Sequence, residues 1–236
     1  MSQIPLIDVK AQYGPLIPEL EARFREVVED GQFIRGPHFW AFQEEAAAFL
    51  GVSKTVGVAN GTDAIVILLD AMEIGPGDEV ICPAFTFYAT AESIARRGAT
   101  PVFADIDPAT MNVDVEDVAA KITPRTRAIM PVHLFGRPAP MDELVALGVP
   151  VVEDAAQAFG APGVAKQGIA SAVYYTTPLH LQPALRFLGN EPGSLPTTER
   201  VAEENFSVPL WPGMPAEAQE RVVEVVRSAV GVGARA

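Results

Sequence analysis

The sequence predicts an α/β fold, a mostly parallel sheet covered by helices, with a small C-terminal α+β domain behind it. Three observations carry this. Short apolar runs alternate with amphipathic segments from Lys54 to Phe159. Within that stretch, Val149 to Val152 follow Gly148 and lead straight into Glu153 and Asp154, the pattern of a strand buried on both faces. After Gly160 the rhythm breaks, and Thr176 to Pro196 is rich in Pro and Gly. The expected division is a large domain over 1–168 and a small domain over 169–236.

The elements follow in order. Leu20, Phe24, Val27 and Val28 recur at helical spacing between charged residues, which predicts an amphipathic helix over 18–29 stopped by Gly31. A second helix carries Phe39, Phe42, Ala46 and Phe49 on one face, a stripe suited to a core or a subunit interface. Lys54 to Ala59 reads as a strand, Asn60-Gly-Thr-Asp63 as a turn, and Ala64 to Met72 as a helix. Strands are expected at Glu79–Cys82, Thr100–Ala104 and Arg127–Val132, with helices opening after Phe85, at Asp114 and at Met141. Beyond the break, Ala170–Tyr175 and Phe206–Leu210 read as strands, and Pro196–Asn205 and Pro215–Val230 as helices.

Composition narrows the function classes. The 236 residues carry a net charge of −13 and a pI near 4.6, which argues against binding a nucleic-acid backbone. No apolar run approaches membrane-spanning length and the first residues lack a signal-peptide pattern, so a cytoplasmic protein with no membrane partner is expected. The single cysteine, Cys82, lies between Ile81 and Pro83, where core packing is its expected role. Three histidines without cysteine partners or close carboxylate spacing predict no metal site, and His133 and His180 are expected to be structural or to line a substrate pocket. No Gly-x-Gly-x-x-Gly turn follows a strand, which disfavours a nicotinamide-binding domain.

Chemistry is expected at the carboxyl ends of the strands. Asp154 stands at such an end, where a carboxylate either pairs with a protonated cofactor ring nitrogen or caps a following helix. Asn60-Gly61-Thr62 offers a close backbone approach and free helix N–H groups to an anion such as phosphate, although Gly and Thr also start helices for structural reasons alone. Phe85 and Phe87 follow a strand, where they either stack on a flat heterocycle or join the core.

Asn60-Gly-Thr-Asp-Ala64, Cys82-Pro-Ala-Phe-Thr-Phe-Tyr-Ala-Thr-Ala-Glu92 and Val151-Val-Glu-Asp-Ala-Ala-Gln-Ala158 together resemble the DegT/StrS-type aminotransferases. Gly36-Pro37, Phe103-Ala-Asp-Ile-Asp107 and Val132-His-Leu-Phe-Gly136 add to the likeness, as do Tyr174 to His180, Leu188-Gly189 and Ser207 to Leu210 in the tail. The resemblance implies a large domain of the pyridoxal-phosphate transferase type. It also implies an enzyme that moves an amino group, with glutamate as donor, onto a nucleotide-linked keto sugar, and a homodimer with active sites at the subunit interface. By the same resemblance Gly61 and Thr62 would hold the cofactor phosphate, Phe87 would stack on the ring, Asp154 would bond the ring nitrogen and Gln157 would reach the phenolic oxygen.

One part of the family pattern is missing. The Schiff-base lysine of the family lies well beyond the Val-Glu-Asp segment, and no matching stretch exists here. Of Lys10, Lys54, Lys121 and Lys166, only Lys166 follows Asp154, in Gly163-Val-Ala-Lys-Gln-Gly168, which resembles the family's loop before the missing strand. Lys166 reads as a solvated loop residue and becomes a candidate only if that loop folds back on the site. The expectation is therefore a large domain left incomplete by an internal gap between about Gln167 and Ala172, with a sheet edge left bare and catalysis lost or severely weakened. The alternative is a non-catalytic remnant that binds pyridoxal phosphate, a sugar nucleotide or an intact homologue.

Overall fold

Val80, Ile81 and Cys82 are buried without exception, and successive side chains of this run enter different parts of the core, as they must in a strand covered on both faces. They belong to β1 (Glu79–Pro83), the middle strand of a parallel sheet whose order is β2-β1-β3, with β2 at Thr100–Ala104 and β3 at Thr126–Ile129. The computed structural model describes residues 8–158, 175, 177–205 and 213–229.

Helices occupy the spaces between strands, close to where periodicity placed them. α1 (Val9–Tyr13), α2 (Ile17–Asp30) and α3 (Pro37–Leu50) precede the sheet. α4 (Gly61–Ala71), α5 (Tyr88–Arg96), α6 (Val115–Ala120) and α7 (Met141–Ala146) alternate with its strands, and α8 (Pro196–Glu204) and α9 (Ala216–Ala229) follow. Local chemistry sets their ends. Gly31 closes α2 in the left-handed region, and the Asp114 carboxylate caps α6 by accepting the N–H groups of Glu116 and Asp117.

Among the described residues, two compact units account for the chain, one made of 8–55 and 213–229, the other of 56–158, 175 and 177–205. The first holds α1, α2, α3 and α9, and its apolar nucleus joins Met214 and Val222. The second holds the sheet with α4 to α8. On one face of this sheet Val80, Cys82, Phe103 and Met130 meet Ile65 and Leu69 of α4 and Ala91 and Ile94 of α5. On the other, Ile81, Ala104 and Ile129 meet Val118 of α6 and Leu144 of α7.

Two expectations change in the structure. Lys54–Ala59 is not a strand: a strand exists through its ladder, and none of the described strands pairs with it. The run from Val149 to Asp154 lies parallel to β3 through the bridges Ile129 with Val151 and Val132 with Asp154, but it is not buried on both faces. Val152 and Asp154 are buried, Val149 and Val151 are half-buried and Pro150 is exposed, as suits the outer edge of the described sheet. On α3, Ala46 of the apolar stripe is buried while Phe42 and Phe49 are exposed.

Residues 177–205 pack on the sheet: Leu179, Leu185 and Leu195 enter the same cluster as Val80 and Cys82, and the Leu179 N–H donates to the Ala84 carbonyl at 3.0 Å. Three buried leucines thus tie this stretch to the unit that holds the sheet. The expected strands at 170–175 and 206–210 fall outside the described residues except for Tyr175, which is not in a strand.

Candidate functional site

Helix α5 holds the site together. Thr90 and Ser93, three residues apart and therefore on one face, are both fully buried. The Thr90 hydroxyl donates to Oδ2 of Asp154 at 2.9 Å, and the Ser93 hydroxyl makes a longer 3.4 Å bond to the Thr62 carbonyl. Phe87 stands one turn earlier, at the N-cap of the helix, and is 62% exposed. Three of the five residues expected to hold the cofactor are thereby fixed to one short helix. Phe85 takes the other role open to it: it is core, edge-on to Tyr175 at 5.3 Å.

Asp154 is anchored through its backbone, its N–H donating to the Pro131 carbonyl at 2.9 Å and its carbonyl accepting the His133 N–H at 3.1 Å. Its carboxylate is buried and accepts from Thr90 on Oδ2 and from the Ala156 N–H on Oδ1 at 3.2 Å. The second bond closes a turn, and the described residues after Asp154 form no helix for it to cap. A carboxylate has roughly four lone-pair sites. With two used, Asp154 retains acceptor capacity, and the donor set fits a ring N–H. Beside it in the core lies Cys82, whose thiol is pushed far up by burial and further by the charge of Asp154.

At the start of α4, the Asn60 side chain accepts the Asp63 N–H at 2.9 Å and its carbonyl accepts the Ala64 N–H at 3.1 Å. Among the described residues the N–H groups of Gly61 and Thr62 remain unbonded, as the first groups of a helix do. A Cβ on Gly61 would meet nothing within 4 Å, so open space lies in front of the turn.

Gln157 is exposed but not loose. Its Oε1 accepts the Phe135 N–H at 2.8 Å, and its Nε2 donates to the Tyr175 hydroxyl at 3.1 Å. An amide nitrogen carries two hydrogens, so one is left for a ligand acceptor. Phe135 has a φ of 53°, sparsely populated for an aromatic residue, and its ring stacks on Tyr175 at 6.5 Å. The sequence reading missed Thr90, Ser93, Phe135 and Tyr175 as supports; two hydroxyls three apart on a buried helix were the signal that pointed to the first pair.

The two buried histidines each pair with a carboxylate. His133 accepts the Ala139 N–H on Nδ1 at 3.0 Å, which puts its proton on Nε2, where it faces Glu153 at 2.8 Å. His180 pairs with Glu199 at 3.0 Å. Among the described residues no group of His, Cys, Asp and Glu could hold a metal ion, and no helix is long and apolar enough to cross a membrane. Lys121 is paired with Asp117, and Lys10 and Lys54 are exposed. Lys166 falls outside the described residues.

The order of these motifs matches a known family over residues 16–163 and again over 162–227, two blocks that meet at one point of the chain. The chain belongs to the DegT/DnrJ/EryC1/StrS aminotransferase family. This family uses pyridoxal phosphate. A UDP-N-acetyl-3-dehydro-alpha-D-glucosamine 3-aminotransferase of Acidithiobacillus ferrooxidans is 46% identical over 71% of this chain and 46% of its own length. The chain thus spans about half the length of the curated relatives it matches. The solved structure of S. venezuelae DesV in complex with a ketimine intermediate aligns with a TM-score of 0.90 at 25% identity, covering 97% of this chain and 98% of that one. NtdA from Bacillus subtilis, solved with bound cofactor PMP, shares the fold with a TM-score of 0.81 at 19% identity, over 95% of this chain and 84% of its own.

Proposed function

We propose that this chain carries the cofactor-binding part of a pyridoxal-phosphate-dependent nucleotide-sugar aminotransferase, which moves an amino group from glutamate to a keto-sugar nucleotide, and that this chain by itself does not turn over. The observation that carries the cofactor reading is the buried Asp154 carboxylate, held by Thr90 and Ala156 with acceptor capacity to spare. In this reading Asp154 accepts the ring N–H, Gly61 and Thr62 bind the phosphate through helix N–H groups, Phe87 covers the ring and Gln157 donates to the phenolic oxygen. When bound, the cofactor supplies the electron sink that transamination needs.

The reading of lost turnover rests on lysine chemistry. Moving a proton between substrate carbon and cofactor needs an amine at the site, and Asp154 cannot replace it. Two family blocks that meet near 162, in a chain whose match spans about half the length of its curated relatives, support an internal gap between a large domain (1–168) and a small one (169–236). The lysine would lie in that gap.

Exposed apolar side chains on α2, Leu20 and Phe24 among them, and Phe42 on α3 support a homodimer. A second reading, a remnant that pairs with an intact homologue, draws on the same surface. Co-purification with a full-length homologue distinguishes it.

The experiment is a visible spectrum of the native chain with pyridoxal phosphate, before and after borohydride, followed by intact mass. Saturable binding without a fixed lysine adduct is expected. An adduct mapped to Lys166 overturns the loss of covalent chemistry, and absence of binding overturns the cofactor reading.

A further inference from the structure

Three side chains form a buried line at the heart of the site. Thr86 is 2% exposed, Thr90 is 0% exposed and Asp154 is 8% exposed. Thr90 Oγ1 lies 2.9 Å from Asp154 Oδ2 and 3.3 Å from Thr86 Oγ1. A hydroxyl has one hydrogen, and a carboxylate only accepts. The Thr90 hydrogen is therefore committed to Asp154, and Thr86 must be the donor to Thr90. The bonds run in one direction, Thr86 to Thr90 to Asp154, and each polarises the next.

We propose that Thr90 is a positioning residue for the cofactor ring, acting through Asp154 and itself supported by Thr86. This rests on the cofactor reading above. Asp154 Oδ1 is held by the Ala156 N–H and Oδ2 by Thr90, so the carboxylate plane is fixed at both ends before any ligand arrives. A carboxylate free to rotate would lose part of its bond to a ring N–H in ordering itself; here the order is built in. Valine in place of Thr90 keeps the shape but removes the donor, leaving Oδ2 short of a partner in a buried place.

The probes are pyridoxamine phosphate, which needs no lysine to bind, and its 1-deaza analogue, in which carbon replaces the ring nitrogen. The native chain is expected to prefer the nitrogen form. In Thr90→Val that preference should fall by roughly tenfold, the size of losing one bond to a charged group. Thr90→Ser should restore it, and affinity for the deaza analogue should be unchanged throughout. A purely structural role for Thr90 would lower affinity for both probes together.

Should Thr90→Val fail to fold, Thr86→Val gives the second measurement, with a partial loss of the preference expected. Unchanged preference in a folded Thr90→Val, or in Thr86→Val where Thr90→Val is unfolded, overturns the proposal and leaves the cofactor site standing. No saturable binding of either probe by the native chain removes the cofactor reading, and the role of Thr90 with it.

Discussion

The Asp105 carboxylate, just past the end of β2, caps a helix that begins far along the chain: it accepts the Thr198 N–H at 2.6 Å and the Thr197 N–H at 2.9 Å. Leu195, at the N-cap position of α8, has no side-chain acceptor to offer, so Asp105, 93 positions before Thr198, does the capping. This bond fastens the chain after the break onto the sheet.

Replacing Asp105 by Ala is expected to cost about 1–2 kcal/mol at neutral pH, measured by urea unfolding. Burial pushes this carboxyl up, but the bonds from Thr198, Thr197 and Ile106 outweigh it and hold its pKa below the ordinary value. The folded pKa is thus the lower one. The stabilisation is fully present above the unfolded value, about pH 4, and is lost as pH falls through the folded one. The gap between native and Asp105→Ala should be constant above about pH 5 and close on further acidification. A gap that widens in acid would contradict this.

Asp154→Asn keeps the side-chain shape and removes the charge. Binding of pyridoxamine phosphate, followed by equilibrium dialysis, should weaken at least tenfold, because a bond to a charged group is worth about 1.5–3 kcal/mol. Circular dichroism should stay native.

Gly36 is buried ahead of α3, and a Cβ there would meet the Gln32 carbonyl oxygen at 2.2 Å. Gly36→Ala should destabilise the chain by about 1–3 kcal/mol, the usual cost of overpacking. Its φ of −75° is open to alanine, so the penalty is steric alone. An unchanged unfolding midpoint would show that the Gln32 turn gives way freely.

Cys82 has no exposed surface and its thiol is pushed up by burial and by Asp154. It should not react with Ellman's reagent in the native protein, and one thiol should appear in urea. Fast native reaction would mean that the core around β1 opens.

Much of this was legible in residue order. Thr100–Ala104 is a strand with the bounds its composition implies, and α6 starts after Asp114 because a carboxylate at that place can only help a helix begin. Lys54–Ala59 misled, since alternation describes a strand's faces but cannot supply a neighbour to pair with. That Leu179, Leu185 and Leu195 bury against Val80 and Cys82 was not legible for a related reason: it is a long-range choice with no local signature.

The sequence by itself determined the family, the three strands of the described sheet with the helices between them, and the residue types that suit a phosphate, a ring and a ring nitrogen, because these depend on local pattern and side-chain chemistry. Only the tertiary structure decided that Thr90 holds Asp154, that Asp105 caps α8 and that Gln157 is braced by Phe135 and Tyr175. Each joins positions far apart in the chain, and burial, which makes an unmet polar group costly, selects such partners only once the chain has folded.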